Sequence, residues 1–167
     1  MFYVLLSLLF SLNSVGAQAF VSSIEKTLPS HGHFLSYLTS ADLNQSNDKV
    51  KTLVFVVHGS ATNPESYYDS IALGTNLLGI GDQTLIIAPH FRVLGDKSIK
   101  PGELAWTDEE WLRGDSPEND KKTSSFDLAD QLITLSIYRF PNLKNVVITG
   151  HSAGGQFTQH YAIGTQL

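Results

Sequence analysis

The sequence predicts an α/β chain, a mostly parallel sheet with helices on both faces, and three observations carry that reading. Residues 52–57 (Thr-Leu-Val-Phe-Val-Val) and 84–88 (Thr-Leu-Ile-Ile-Ala) are unbroken runs of β-branched and apolar residues, the pattern of strands buried on both faces. Helical patterns separate these runs from each other and from a third apolar run at 145–149, so strand and helix alternate, which demands parallel strands with helical cover. The third run leads straight into Gly150-His151-Ser152-Ala153-Gly154-Gly155, a tight turn from strand to helix.

Taken in order, Val4 to Leu12 is mostly Leu, Val and Phe, and Ala17-Gln18-Ala19 has the small-x-small pattern of a cleavage site, so residues 1–19 are expected to be an export signal. A buried N-terminal helix is the alternative. The apolar stretch is too short for a membrane span, which takes about 20 residues. Residues 20–167 then form one domain, held by burial alone because the chain has no cysteine. A loose alternation in 31–38 reads as an early strand or hairpin arm.

Asn63 as N-cap and Pro64 at the first helical position open a helix whose stripe is Tyr67, Ile71, Gly74 and Leu78, with Gly79 ending it. Residues 91–122 hold Gly, Pro, charge, Trp106 and Trp111, a long connection of the kind that carries function. Ser124 and Asp127 resemble a capping box before a helix at 125–139, with Ala129, Leu132, Ile133, Ile137 and Phe140 on one stripe and Pro141 as its stop. The strand at 145–149 reads as buried, and a last helix at about 154–163 has Gly164 as its cap.

The net charge of -5, without a run of Lys or Arg, gives no field for phosphate backbones, so nucleic acid is not an expected partner. No residue spacing suggests a metal or a nucleotide cofactor.

Serine acyl transfer needs an exposed hydroxyl, a base, and amide donors aimed at the developing oxyanion. Ser152 is the expected nucleophile, with Gly150 and Gly154 as the glycines its cramped turn requires. The expected donors are the backbone amides of Ala153 and of Ser60, with Gly59 next, since His58-Gly59-Ser60 ends an earlier central strand.

These residues resemble the α/β-hydrolase family, and within it secreted esterase- or lipase-like members whose elbow reads GHSAGG and whose oxyanion strand ends in HG. The likeness runs from Thr52 to Leu167 and includes Glu103-Leu104-Ala105-Trp106, Trp111 and Gly114-Asp115-Ser116. It implies a partial α/β-hydrolase domain without its C-terminal strands. The family order is Ser, then Asp or Glu, then His, and only residues 155–167 follow the elbow, so the chain is expected to be an N-terminal portion, catalytically incomplete.

Among local histidines, His90 is the candidate substitute base, because His58, His90 and His151 all follow strands and gather at one sheet edge. His58 and His151 are expected to be structural, and His31, His33 and His160 to lie at the surface. Trp106 and Trp111 either line an acyl pocket or pin the excursion; Asp115 reads as a turn residue and Asp127 as a cap. The expected activity is cleavage of a small-molecule or lipid-like carboxylic ester through an acyl-Ser152 intermediate. The alternative is a non-catalytic binding module, and the open edge expected at the 145–149 strand, which lacks the neighbours of the complete fold, is expected to expose apolar surface and favour self-association.

Overall fold

The computed structural model describes residues 22–167; the expected signal at 1–19 lies outside the described residues. A five-stranded sheet runs in the order β1-β2-β4-β3-β7, where β1 is Ile24–Ser30, β2 His33–Thr39, β3 Thr52–Val57, β4 Thr84–Pro89 and β7 Asn145–Gly150. β4, β3 and β7 are mutually parallel, and the hairpin β1-β2 adds antiparallel to the edge of β4. Three helices cover it: α1 (Pro64–Leu77), α2 (Ser125–Arg139) and α3 (Ala153–Gly164). The excursion contributes β5 (Arg92–Val93) and β6 (Ala105–Trp106), a two-stranded parallel pair.

The central strands are buried on both faces, as their composition requires. Leu53, Phe55 and Val57 of β3, with Leu85 and Ile87 of β4, meet α2, α3 and the excursion in the main core. The alternate residues Val56, Ile86 and Ala88 meet Tyr68 and Ala72 of α1 in a second core. Period-two alternation therefore divides each strand between two apolar layers.

The hairpin was only half legible in sequence. His31 and Gly32 both have positive φ (45° and 86°), the conformation a two-residue turn needs to match strand twist, and this joins β2 to the unforeseen β1.

Three expectations about burial need correction. In α1 the buried residues are Tyr68, Ala72 and Thr75, whereas Leu78 of the expected stripe is 74% exposed. The inward face combines the large Tyr68 with Ala72 and Thr75, whose small size permits close approach to the sheet, and the Thr75 hydroxyl is satisfied by the Ile71 carbonyl at 3.0 Å. In α2, Ile137 is exposed and Leu128 and Ser136 take core positions. β7 is not buried: Val146 and Val147 are 40% and 45% exposed, because β7 pairs with β3 on one side and forms the sheet edge.

The helix ends follow the sequence more closely. Gly79 has φ 69°, and the Ile80 amide donates to the Thr75 carbonyl at 3.0 Å to close α1. Asn63 sits at the N-cap of α1, but its side chain donates to Ser66 Oγ instead of capping the backbone. Ser124 and Asp127 form the reciprocal capping box of α2, at 3.0 and 2.8 Å. At the end of α3 Thr165, not Gly164, is the C-cap; a Cβ on Gly164 would stand 2.8 Å from the Phe126 ring.

Candidate active site

Ser152 stands between β7 and α3 with φ 57° and ψ -122°, a backbone conformation costly for a residue with a side chain. What holds it there is the approach of α3 to the sheet. A Cβ on Gly150 would lie 2.5 Å from the Gly154 carbonyl carbon and 2.8 Å from the Val57 carbonyl oxygen, and one on Gly154 would lie 2.7 Å from the His58 carbonyl oxygen. Neither glycine owes its place to a positive φ; both are needed for space. Ser152 is exposed, and its Oγ makes no hydrogen bond with a described residue.

Ala153 is buried at the first position of α3, so its amide belongs to the turn whose N–H groups have no acceptor within the helix. Val57 pairs in register with Gly150, which sets the loop 58–60 beside the elbow. There a Cβ on Gly59 would stand 2.7 Å from the Tyr67 hydroxyl, which would have to move, and at an ordinary contact distance of 3.6 Å from the His151 carbonyl oxygen, so the loop lies against the elbow backbone. Ser60 is exposed, and its hydroxyl donates to Glu109 Oε1 at 3.2 Å.

His58 is wholly structural in its bonding. Its Nδ1 donates to the Gly59 carbonyl at 2.8 Å, and its Nε2 accepts from the Phe91 amide at 3.0 Å, so both ring nitrogens are spent on joining the two loops. Burial pushes its pKa down to about 4, against the raising effect of the Gly59 bond. His90 is buried, with ring centroid 5.7 Å from that of His58, and no hydrogen bond joins it to Ser152. It lines a cleft on the far side of the 61–63 loop, of which Ser152 is not a wall. His151 is exposed and lines a shallow hollow of about 430 Å³ with Ala61, Asn63 and Tyr67.

The remaining histidines are tethers. His160 donates from Nδ1 to the Leu112 carbonyl at 2.9 Å, fixing α3 to the short helical turn Glu110–Arg113. His31 Nδ1 lies 3.1 Å from the buried carboxylate of Asp120. His33 meets the Asn119 side chain at 3.4 Å.

The excursion is pinned by its aromatics. Trp111 packs against His58 (4.9 Å between centroids), Phe91 (5.4 Å) and Phe157 (6.1 Å), and Trp106 donates from its indole to the Asp115 carbonyl at 2.8 Å. Both indoles are buried, so neither lines an open pocket. Asp115 serves the turn through its backbone, accepting from the Ser125 amide as well. A buried ion pair, Arg92 to Glu103 at 3.2 Å, ties the two ends of the β5-β6 segment.

Sequence reasoning missed Glu109, the approach of the Tyr67 hydroxyl to Gly59, and the Arg92–Glu103 pair. Glu109 meets Ser60 across 49 positions, a separation that leaves no local signal.

Among solved structures, poly(aspartic acid) hydrolase-1 from Sphingomonas sp. KT-1 superposes with a TM-score of 0.51 at 18% identity. The match covers 83% of this chain and 50% of that one, so the chain spans about half the length of that hydrolase. That likeness is one of fold. No protein-family model matches the sequence, and no curated protein matches it. The fold is thus α/β, of the type found in a hydrolase. Among the described residues no helix is long and apolar enough to cross a membrane.

Proposed function

We propose that this chain carries the nucleophile elbow and oxyanion loop of an α/β-hydrolase-type serine hydrolase acting on carboxylic esters with small-molecule or lipid-like acyl groups. The observation that carries this reading is the backbone of Ser152, at φ 57° and ψ -122° between a strand and a helix, enforced by two glycines with no room for a side chain. Strain of this kind gathers where an exposed reactive side chain must be presented.

In the reaction, Ser152 Oγ attacks the ester carbonyl carbon while a base takes its proton. The Ala153 and Ser60 amides, with Gly59 next, stabilise the tetrahedral oxyanion. Collapse expels the alcohol, which takes up the proton, and leaves the acyl group on Ser152; water then cleaves that bond to release the acid. His90 is hydrogen-bonded to the Thr62 backbone and not to Ser152 in this structure, and the imidazole added in the following test stands in for the base.

A fluorophosphonate probe tests the reading on the intact protein, with and without added imidazole as an external base. We expect one equivalent bound, faster with imidazole, and none in Ser152→Ala of unchanged thermal stability. A folded protein that stays unlabelled under both conditions would overturn it.

A second reading, a binding module that works through its sheet edge, is favoured by the exposed Val146 and Val147 on β7. Self-association through this edge would appear as a concentration-dependent sedimentation coefficient, abolished by Val147→Lys. A monomer at all concentrations would remove it. Export through residues 1–19 belongs to the same proposal and is tested by the N-terminal residue of protein recovered from the medium, expected to be Phe20.

A further inference from the structure

Four described residues other than glycine have positive φ, and three of them, Ser152, Thr62 (48°) and Asp108 (43°), lie in the elbow, the 58–62 loop and the excursion, three segments that meet. Thr62 is β-branched, for which that region of backbone space is costly. Asp108 immediately precedes Glu109, whose Oε1 accepts the Ser60 hydroxyl at 3.2 Å. Strained backbone therefore stands on both sides of the Ser60–Glu109 bond.

The excursion is fastened to both partners of the proposed oxyanion pair. Trp111, two residues after Glu109, is buried against His58 at 4.9 Å between centroids, which fixes it to the chain leaving β3. The Leu112 carbonyl accepts from His160 at 2.9 Å, which fixes it to the helix that begins at Ala153. The Glu109 carbonyl accepts from the Leu112 amide at 3.1 Å, so Glu109 belongs to the same turn as both anchors. From that turn its side chain crosses to the loop.

Ser60 lies outside the helices and strands, and its N–H has no acceptor among the described residues, the state expected of a donor that awaits a ligand oxygen. Such an amide stabilises an oxyanion only where its place is fixed before the charge forms. The Ser60 hydroxyl has a partner where the amide has none. We infer that Glu109 is a positioning residue: by holding the Ser60 hydroxyl, it sets the Ser60 amide at a fixed separation from the Ala153 amide. This inference rests on the proposed role of Ser152. Bond and charge act in opposite directions here, because a carboxylate near a developing oxyanion repels it. A glutamine keeps the accepting oxygen and loses the charge, which separates the two effects.

The test is fluorophosphonate labelling of the intact protein with imidazole present, in which Ser152 Oγ displaces fluoride from phosphorus and the phosphoryl oxygen takes the oxyanion position. The maximal rate is resolved from the half-saturating probe concentration, and 15N relaxation of the Ser60 amide is measured in the unreacted protein. Both residues are exposed, so thermal midpoints of the variants should stay at the wild-type value. We expect Glu109→Ala and Ser60→Ala each to lower the maximal rate about tenfold at an unchanged half-saturating concentration, the scale of one hydrogen bond to a charged group. The double variant should be no slower than either single one, because both remove the same bond. Glu109→Gln should label at least as fast as wild type. The Ser60 order parameter should fall toward the flexible range, below about 0.6, in Glu109→Ala and stay near the rigid value in Glu109→Gln. Additive losses, or a Glu109→Gln rate as low as that of Glu109→Ala, would overturn the positioning role. A wild type that labels while Glu109→Ala matches it in rate and order parameter sinks Glu109 alone. A wild type that never labels sinks the serine reading, and the effect of Glu109 on rate with it.

Discussion

Gly154 and His58 meet backbone to backbone: a Cβ on Gly154 would stand 2.7 Å from the His58 carbonyl oxygen, and closer still to that of Val57. The helix after Ser152 therefore begins in contact with the strand end that supplies the 58–60 loop. One close approach sets the relative position of elbow and loop.

Gly154→Ala should consequently act on both. The new methyl cannot be absorbed by a flexible side chain, because what it meets is backbone. Overpacking of this sort costs about 3 kcal/mol, and urea unfolding of the variant should show a midpoint lowered accordingly. Serine labelling should fall further than the loss of folded protein explains, since the elbow itself is displaced.

Trp111→Ala removes a buried indole from between His58, Phe91 and Phe157. A cavity of that size costs about 3 to 5 kcal/mol. It also frees the excursion, so limited proteolysis within 107–122 should accelerate while cleavage in α1 does not. Equal acceleration everywhere would mean that the indole supports global stability and not this anchor.

The buried His58 makes stability depend on pH in a definite window. Its pKa is about 4 in the folded chain and near 6.5 when unfolded, so between those values the unfolded state binds the extra proton. Stability should be full above pH 6.5 and fall as pH drops toward 4, by on the order of 3 kcal/mol. His90, also lowered, adds to the same slope. Denaturant midpoints from pH 7 to 4 give the curve, and His58→Gln should flatten it.

Glu103→Gln breaks a pair whose members are both buried. Arg92 keeps Asp96 but loses its innermost partner, which costs about 3 kcal/mol. The Glu103 carboxyl is opposed by burial yet lies below the usual range, because the Lys100 amide and the Arg92 side chain bond it. Its contribution is present above the unfolded carboxylate pKa and is lost as pH falls through the lower folded value, so wild-type and variant should converge in acid.

The sequence alone settled what depends on neighbours along the chain. Residues 52–57 and 84–88 had to be strands buried on both faces, because nothing but a sheet covered twice accepts unbroken β-branched runs; the capping box of Ser124 and Asp127, the Gly79 terminus and the strand-turn-helix around Ser152 are equally local. Only the tertiary structure decided which face of α1 turns inward, since small Ala72 and Thr75 win their place by close packing, a preference hydrophobic spacing does not encode. It also decided that His58 spends both nitrogens on two loops, that Glu109 reaches Ser60, and that His90 lines a cleft of which Ser152 is not a wall, whereas the open edge of the 145–149 strand was already an expectation of the sequence. Those outcomes rest on groups tens of residues apart, whose meeting is fixed by the order in which strands pair.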